Sequence, residues 1–395
     1  MEGAHKARIE SIDLLRGVVI ILMALDHVRM YFGQGGWYAE PTNLATTTHL
    51  LFLTRWITHF CAPVFIFLGG TSASLYGAHG HSTREVSRYV LTRGLFLVFL
   101  ELVIVNFGWT FDITFSYRLL QVIWAIGVSM VVLAALVYLP KWAIFAFGIV
   151  LVLGHNLLDP IQMVGAGPLA LIWTILHQIE LVVFGPNFIV YFHYPLIPLV
   201  GLMALGYVFG TLYKGGFDAG RRKKWLLGMG AGAILLFLIL RGFNLYGEPN
   251  PWRPQPILVY SVMSFLNTTK YPASLHFLLM TLGPALIFLA LTEGARNRVS
   301  ETVLTYGRVS LFFYLVHIYV IHVLALVALA ISGRSWTETI MTAQAFLGEG
   351  LADFGFPLYV VYLVWILVMV IMVPLSKWYR AYKKRHPEQR LLRYI

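Results

Sequence analysis

The sequence contains a single cysteine, Cys61, and this scarcity removes two kinds of structure. A disulfide framework needs cysteines in pairs, and a cysteine metal site needs several of them at close spacing. Charge is also scarce, because only 12% of the residues are Asp, Glu, Lys or Arg, against about 25% in soluble domains. Hydrophobic residues make up 58% of the chain. This balance is typical of a protein that crosses a membrane several times.

Several sequence patterns are also missing. There is no internal repeat, no low-complexity tract, no Gly-rich phosphate loop and no G-x-S-x-G nucleophile motif. No small-residue cleavage site follows the first apolar run, so we expect that run to be a retained span and not a signal peptide. We expect residues 1–395 to form a single transmembrane domain, in which 377–395 is a basic cytoplasmic tail.

Ten segments are long and apolar enough to cross about 30 Å of hydrocarbon, which predicts an all-α polytopic membrane bundle. They lie near 12–33, 50–77, 90–110, 117–138, 141–157, 194–213, 224–243, 274–293, 303–331 and 353–376. A further apolar segment, 167–185, contains His177, Gln178 and Glu180. We interpret it as an interfacial or re-entrant helix on the outer face and not as an eleventh crossing.

The basic residues predict the orientation. The net charge is +11, and the Lys and Arg residues lie mainly in short loops between spans. With the ten spans above, 21 of them fall on one side, including Lys6, Arg8 and Arg296, and 5 on the other. The positive-inside rule then predicts both termini in the cytoplasm. Because the charge is explained by topology, we expect the lipid bilayer and not nucleic acid as the partner.

The first span carries an unusual set of ionisable residues, which are costly inside a membrane and often mark a functional path. Arg16 and His27 are eleven residues apart. At about 100° per residue they share one helix face, separated by about 16 Å along the axis. Asp13 lies three residues before Arg16 and can pair with it, and Asp26 and Arg29 flank His27.

Other polar residues lie in or beside the remaining spans and are candidates to support a site. They are Arg55, His59, Glu101, Gln121, Lys270, His276 and His317. A lone histidine in a membrane bundle often only hydrogen-bonds to its neighbours. For His276 taken alone, this is the interpretation we favour.

Three kinds of chemistry use such residues. A metal site would show ligands in a pattern such as HExxH, and since no such pair stands out we expect no metal. A transporter or flippase would use charges across several spans, often in repeated halves, and the repeat is absent. The third is group transfer, with His27 as general base on a hydroxyl or an amine.

The chain resembles the bacterial relatives of heparan-α-glucosaminide N-acetyltransferase, within the transmembrane acyltransferase superfamily. The resemblance rests on five blocks in the same order, which are "RIESIDLLRGVVIILMALDHVRMYF", "HFCAPVFIFLGGTSA", "LLQVIWAIGVSMV", "NTTKYPASLHFLLMTLGPAL" and "YGRVSLFFYLVHIYVIH". It implies a multi-pass enzyme of the bacterial inner membrane. In such an enzyme cytoplasmic acyl-CoA, often acetyl-CoA, presents its acyl group to a buried histidine, and a glycan or other hydroxyl or amine acceptor arrives from the opposite face. It implies no metal and leaves the oligomeric state open.

The resemblance also assigns roles. Members closer to the lysosomal enzyme take their reactive histidine from the loop after the first span, but here "GQGGWYAEPTNLATTT" holds none before His49. The catalytic role therefore falls on His27, as in the sugar O-acyltransferases, and heparan is not carried over as the substrate. Direct transfer and an acyl-histidine intermediate both stay open.

Asp26 is the second catalytic candidate, as a group that orients the His27 imidazole. However, adjacent residues on a helix point about 100° apart. A direct Asp26–His27 hydrogen bond is therefore not expected, and a partner from another helix would be His59, Glu101 or His317. A transporter or flippase of a polar or acylated solute is the alternative to the acyltransferase.

Overall fold

A computed structural model describes residues 9–294, 298–389, 392 and 394. The α-helices are α1 (Glu10–Phe32), α2 (His49–Ile57), α3 (Cys61–Ala78), α4 (Thr83–Leu100), α5 (Asn106–Thr110), α6 (Val122–Leu136), α7 (Lys141–Gly154), α8 (Pro168–His177), α9 (Leu196–Phe209), α10 (Ala219–Gly242), α11 (Leu258–Leu266), α12 (Leu275–Leu291), α13 (Arg298–Arg308), α14 (Ser310–Ile331), α15 (Ala343–Leu347) and α16 (Leu358–Arg385). The strands are β1 (Tyr117–Leu120), β2 (Glu180–Gly185) and β3 (Phe188–Phe192). Five of the basic residues counted for the orientation lie outside the described residues; they are Lys6, Arg8, Arg296, Arg390 and Arg393.

Within the described residues, seven helical segments are long and apolar enough, by length and composition, to cross a membrane. They are His49–Ala78, Thr83–Thr110, Lys141–Leu158, Leu196–Tyr213, Ala219–Gly242, Ser310–Ile331 and Leu358–Arg385. Shorter apolar helices stand at Val122–Leu136 and Leu275–Leu291, where two further spans were predicted. The prediction of an all-α membrane bundle is confirmed.

Helix α1 lies inside the bundle and packs against α3, α12, α13, α14 and α16. Because α1 contains several ionisable residues, it is not among the seven apolar segments above. Neighbouring helices supply partners for these residues. Two glycines let α1 and α13 approach closely, since a methyl group at Gly17 would overlap Val303 and one at Gly307 would overlap the Asp13 carbonyl oxygen. This small-residue contact brings Arg308 beside Asp13.

The predicted span at 117–138 is wrong at its start, where β1 replaces the first turn of helix. β1 pairs in parallel with β3, and β2 pairs antiparallel with β3, which gives the sheet order β1-β3-β2. Residues 117–122, YRLLQV, lead directly into α6 without a Gly or Pro between them, so the sequence pattern does not reveal the strand. Pairing with a segment more than sixty residues later decides the conformation.

Two other predicted segments are also divided. Residues 167–185 form the ten-residue helix α8 and then strand β2. At 1.5 Å per residue α8 is about 15 Å long, half of the hydrocarbon thickness, so the segment does not cross as a single helix. The predicted span 303–331 is interrupted at Val309, where α13 ends and α14 begins.

Candidate active site

His27 lies on α1, where its imidazole is paired with another imidazole. His27 Nδ1 lies 2.8 Å from Nε2 of His317, a residue of α14. The ring centroids are 5.0 Å apart and the ring planes differ by 18°, so the two rings are nearly coplanar across this contact. His27 is 8% exposed and His317 is fully buried. The partner from another helix is therefore His317, one of the three residues predicted for that position.

The hydrogen bonds of this pair fix its protons when both rings are neutral. His317 Nδ1 lies 2.9 Å from the Phe313 carbonyl oxygen, which can only accept, so this nitrogen carries the proton. His317 Nε2 is then an acceptor, and His27 Nδ1 donates to it. The lone pair of His27 therefore lies on Nε2, which has no hydrogen-bond partner among the described residues.

Aromatic side chains fix the plane of the His27 ring. Trp109, which is fully buried, meets the imidazole edge to face with centroids 4.7 Å apart, and Tyr314 does so at 6.1 Å. Trp109 also stacks on Tyr31, whose hydroxyl donates to the Trp109 carbonyl oxygen at 2.5 Å. The first span and the helices around it thus hold the ring in one orientation.

Asp26 belongs to a cluster of charges beside His27. Its carboxylate accepts from Arg29 at 3.1 Å and forms an ion pair with Arg55 of α2. Among the described residues it has no hydrogen bond to His27, as expected for neighbours on a helix. Asp26 therefore holds both guanidinium groups. All three residues line a cavity that also includes His27.

A cavity of about 290 Å³ opens at the Arg16 end of α1. Four cationic residues line it, and its described lining contains no carboxylate; the four are Arg16, Arg93, Arg308 and Lys383. Asp13 lies 3.5 Å from Arg16 and 3.7 Å from Arg308, so the predicted Asp13–Arg16 pair is present. Arg16 also donates to the hydroxyl of Ser72.

A second cavity of about 190 Å³ lies at the other end of α1 and includes His27. Its lining combines charges with aromatic rings, and includes Asp26, Arg29, Trp37, Tyr38, Glu40, Arg55, Tyr191, His193, Tyr194, Lys270 and Tyr271. An adjoining polar recess of about 290 Å³ shares Arg55 and Lys270 with it and adds His59. His59 thus lies near the predicted site, without touching His27.

A small cavity of about 30 Å³, the junction cavity, has lining residues in common with both. It shares Met23, Phe65 and Val122 with the Arg16 cavity, and His27 and Lys270 with the second cavity. Gln121 lines this junction as well. His27 therefore lines both the second cavity and the junction cavity that borders the Arg16 cavity.

The loop that carries Lys270 is held firmly from behind. The buried Arg241 guanidinium donates to four carbonyl oxygens, those of Asn250, Ser264, Phe265 and Asn267, at 2.7–3.0 Å. Glu248 accepts from the Thr269 amide at 2.9 Å and from the Ser274 hydroxyl at 2.7 Å. Lys270 is therefore presented on a braced backbone.

Two predicted support residues belong to the scaffold and do not line these cavities. Glu101 is buried at the start of a short π-helical turn and accepts from the Trp124 amide at 3.1 Å, which caps α6. His276 lies 3.1 Å from the Tyr246 carbonyl oxygen. The favoured interpretation of His276 as a hydrogen-bonded bundle residue agrees with this contact.

Several residues of the site escaped prediction from sequence. Trp109 lies in an apolar run whose pattern does not distinguish it from core residues, whereas Tyr191 and His193 lie in and after β3, within the segment 158–193 between two predicted spans. The sequence signal for these two residues is the aromatic content of that segment. Burial, with Lys270 and Arg55 nearby, lowers the pKa of His193 to about 3, so the His193 imidazole is uncharged at neutral pH.

Comparison with known proteins assigns the family. A family described as "OpgC protein" matches residues 201–348, and a comparison with curated proteins finds no match. A family described as "Heparan-alpha-glucosaminide N-acetyltransferase, catalytic" matches residues 8–245, more than half of the chain. Both indicate an acyltransferase of the membrane, and hence a transferase. The chain thus belongs to the heparan-alpha-glucosaminide N-acetyltransferase catalytic-domain family, as the five ordered blocks of its sequence predict.

Proposed function

We propose that this protein transfers an acyl group, typically acetyl, from cytoplasmic acyl-CoA to a hydroxyl or amine of a glycan on the opposite side of a bacterial inner membrane. The observation that carries the proposal is the position of His27. Its imidazole lies where the two cavities meet, and His317 directs its free lone pair to Nε2.

The Arg16 cavity suits the CoA end of the donor. CoA carries several phosphate charges, and guanidinium and ammonium groups bind phosphate oxygens through charge-assisted hydrogen bonds. Four cations line this cavity, without a carboxylate in its described lining. The narrow, apolar neck at Met23, Phe65 and Val122 suits the uncharged pantetheine arm and its thioester.

The second cavity suits the acceptor. Aromatic rings stack on the apolar faces of sugars, and the carboxylates, guanidinium groups and amides of this cavity can bind hydroxyl groups. Glu40, Arg55 and Lys270 line both this cavity and the adjoining recess, which together form one polar space beside His27. The basic loops predicted to face the cytoplasm support an outer position for this space.

In the reaction, His27 Nε2 takes the proton of the acceptor hydroxyl or amine as its oxygen or nitrogen attacks the thioester carbonyl carbon. The new C–O or C–N bond forms, the C–S bond breaks, and the proton on His27 passes to the departing CoA sulfur. His317 stabilises the imidazolium by accepting from Nδ1. In the alternative, Nε2 itself attacks the thioester carbonyl carbon and the C–S bond breaks to release CoA thiolate. The acceptor then takes the acyl group as the Nε2–C bond breaks, and its proton passes to the CoA thiolate.

Lys270 is the cation best placed to stabilise the oxyanion of the tetrahedral intermediate. It lines the small junction cavity together with His27 and is presented by a braced loop. Asp26, in contrast, is occupied by Arg29 and Arg55. Its role in the proposal is to hold these two cations in the acceptor space, and not to orient the His27 ring.

The test is turnover of acetyl-CoA by the purified protein with glucosamine and glucose as probe acceptors. The variant His27→Ala should lose transfer by about 10²–10⁴-fold, the usual contribution of a general base. It should keep the rise in thermal midpoint that acetyl-CoA gives the wild type, because binding to the folded state stabilises it. The exposed His49 provides the matched control, His49→Ala, which should behave as the wild type.

Full activity of His27→Ala would rule out its assignment as the base. A wild-type protein that shows neither turnover nor a midpoint shift with any acyl-CoA would contradict the acyltransferase and favour a transporter.

A further inference from the structure

A second cluster of histidines lies away from His27, where α7 ends. His155 begins the short 3-10 turn His155–Leu158 and Asp159 follows it, while His177 is the last residue of α8. His177 Nε2 lies 3.0 Å from Asp159 Oδ1. One ligand atom from each of the three residues lies within 4.8 Å of the others.

Burial makes this cluster unusual. His155 is 2% exposed and His177 is 3% exposed. Nδ1 of His177 has no hydrogen-bond partner among the described residues, and neither ring nitrogen of His155 makes a hydrogen bond of good geometry, although the Ala273 backbone lies beside that ring. Buried polar atoms are nearly always satisfied, so each exception requires an explanation. An ion pair between Asp159 and His177 accounts for one nitrogen of His177 and leaves the His155 ring without a well-formed hydrogen bond.

The carboxylate is also held in place from outside the cluster. Asn156 Nδ2 donates to Asp159 Oδ2 at 2.9 Å, while Oδ1 faces His177. Metal-binding carboxylates are typically fixed by an outer hydrogen bond of this kind. The arrangement therefore has three donors, two of them buried imidazoles, and a support for the third.

We propose that His155, Asp159 and His177 bind a Zn²⁺ ion, with water as the fourth ligand. Two imidazoles and one carboxylate form a donor set that zinc accepts, at bond lengths of about 2.0–2.2 Å. Ligand atoms of a tetrahedral site lie about 3.3 Å apart, which the 3.0 Å contact of His177 and Asp159 already approaches. The third ligand atom, from His155, lies within 4.8 Å of the other two, so binding requires the His155 ring to move closer to them.

The i, i+4 spacing of His155 and Asp159 is compatible with a ligand pair, but it does not predict this site alone. The completing residue, His177, lies 18 positions beyond Asp159, on a different helix. The fold is therefore needed to bring the three together, which is why no metal was expected from the sequence.

The position of the ion gives it a structural role. Asn156, inside the cluster, accepts from the Leu275 amide at 3.0 Å through its side-chain oxygen. Leu275 is the first residue of α12 and follows the loop with Lys270 and Tyr271. Zinc would thus fasten the end of α7, the end of α8 and this loop together. The inference does not depend on acyl transfer.

The experiment uses the full chain purified without a histidine tag. Metal content by mass spectrometry should be close to one zinc per chain, and removal by a chelator should lower the thermal midpoint. Adding Zn²⁺ alone should restore it, since an ion that binds the folded state stabilises it. His155→Ala and the nearly isosteric Asp159→Asn should both lose the zinc, while His49→Ala should retain it.

Two results would overturn the inference. One is a wild-type protein that carries no zinc and whose midpoint does not respond to Zn²⁺ after chelation. The other is zinc that persists at wild-type content in both His155→Ala and Asp159→Asn, which would identify an adventitious ion only. The titration of the wild type decides the question even if the variants do not fold.

Discussion

The two cavities at the ends of α1 differ in charge and in aromatic content. The Arg16 cavity has four cations and, in its described lining, no carboxylate. The second cavity contains three cations together with Asp26 and Glu40, and aromatic rings surround these charges. A cavity of one charge suits a polyanion, whereas a cavity of mixed charge and aromatic rings suits a polar, largely uncharged ring. In the proposed function, α1 contributes to both sites, with Arg16 in one cavity and His27 in the other.

The largest expected effect comes from blocking the neck between the two cavities. Met23 lines both the Arg16 cavity and the junction, so Met23→Trp should fill the passage. Transfer should fall by about 10²-fold or more, because a small misplacement of reacting groups has that effect. The thermal midpoint should still rise with acetyl-CoA, since the cationic mouth is intact. Met23→Leu is the size-matched control. Unchanged turnover in Met23→Trp would mean that the acyl group takes another route.

Removal of the His317 imidazole should have a smaller effect on transfer than Met23→Trp. In His317→Ala, His27 loses the acceptor that holds its Nδ1 proton and stabilises its charged form. We expect kcat to fall roughly 10- to 100-fold, as for other residues that orient a catalytic histidine, with both KM values unchanged. His317→Gln, whose amide oxygen can accept the same proton, should recover part of kcat. Equal changes in kcat and KM, without rescue, would indicate a merely structural role.

The smallest expected effects come from two variants, one in each cavity, that should change different kinetic constants. Arg93 belongs only to the first cavity and Lys270 only to the second cavity and its neighbours. Arg93→Ala should raise KM for acetyl-CoA about tenfold, equivalent to about 1.4 kcal/mol, and leave kcat unchanged. Lys270→Met should lower kcat and leave the acetyl-CoA KM unchanged. If steady-state kinetics show both variants changing the same constant, the two cavities do not serve separate ligands.

The sequence predicts α1 and the shared face of Arg16 and His27 well, because one continuous helix fixes their relative position. It narrows the partner of His27 to three residues, and packing of α14 against α1 selects His317. Asp26 was the predicted orienting group, but Arg55 from α2 engages its carboxylate. That contact joins residues 29 positions apart, which no local pattern reveals.

Strands β1 to β3 and the cluster of His155, Asp159 and His177 escape prediction for the same physical reason. Each depends on contacts between distant segments, such as Tyr117 with Ile189 or Asp159 with His177. The apolar periodicity that identifies spans carries no information on those pairings. Glu101 and His276, in contrast, are ionisable residues within predicted spans, which made them candidates from the sequence. In the structure they form hydrogen bonds with backbone groups of the scaffold.

The most direct test of the central claim is acyl transfer across a sealed vesicle. Radiolabelled acetyl-CoA is supplied on the side that the Arg16 cavity faces, and glucosamine on the other. For the wild type, we predict labelled acetylglucosamine on the glucosamine side only, and at least about 10²-fold less of it for His27→Ala or Met23→Trp. Label that forms only when both substrates share one side, or that forms equally in His27→Ala, would contradict a single passage with His27 at its centre.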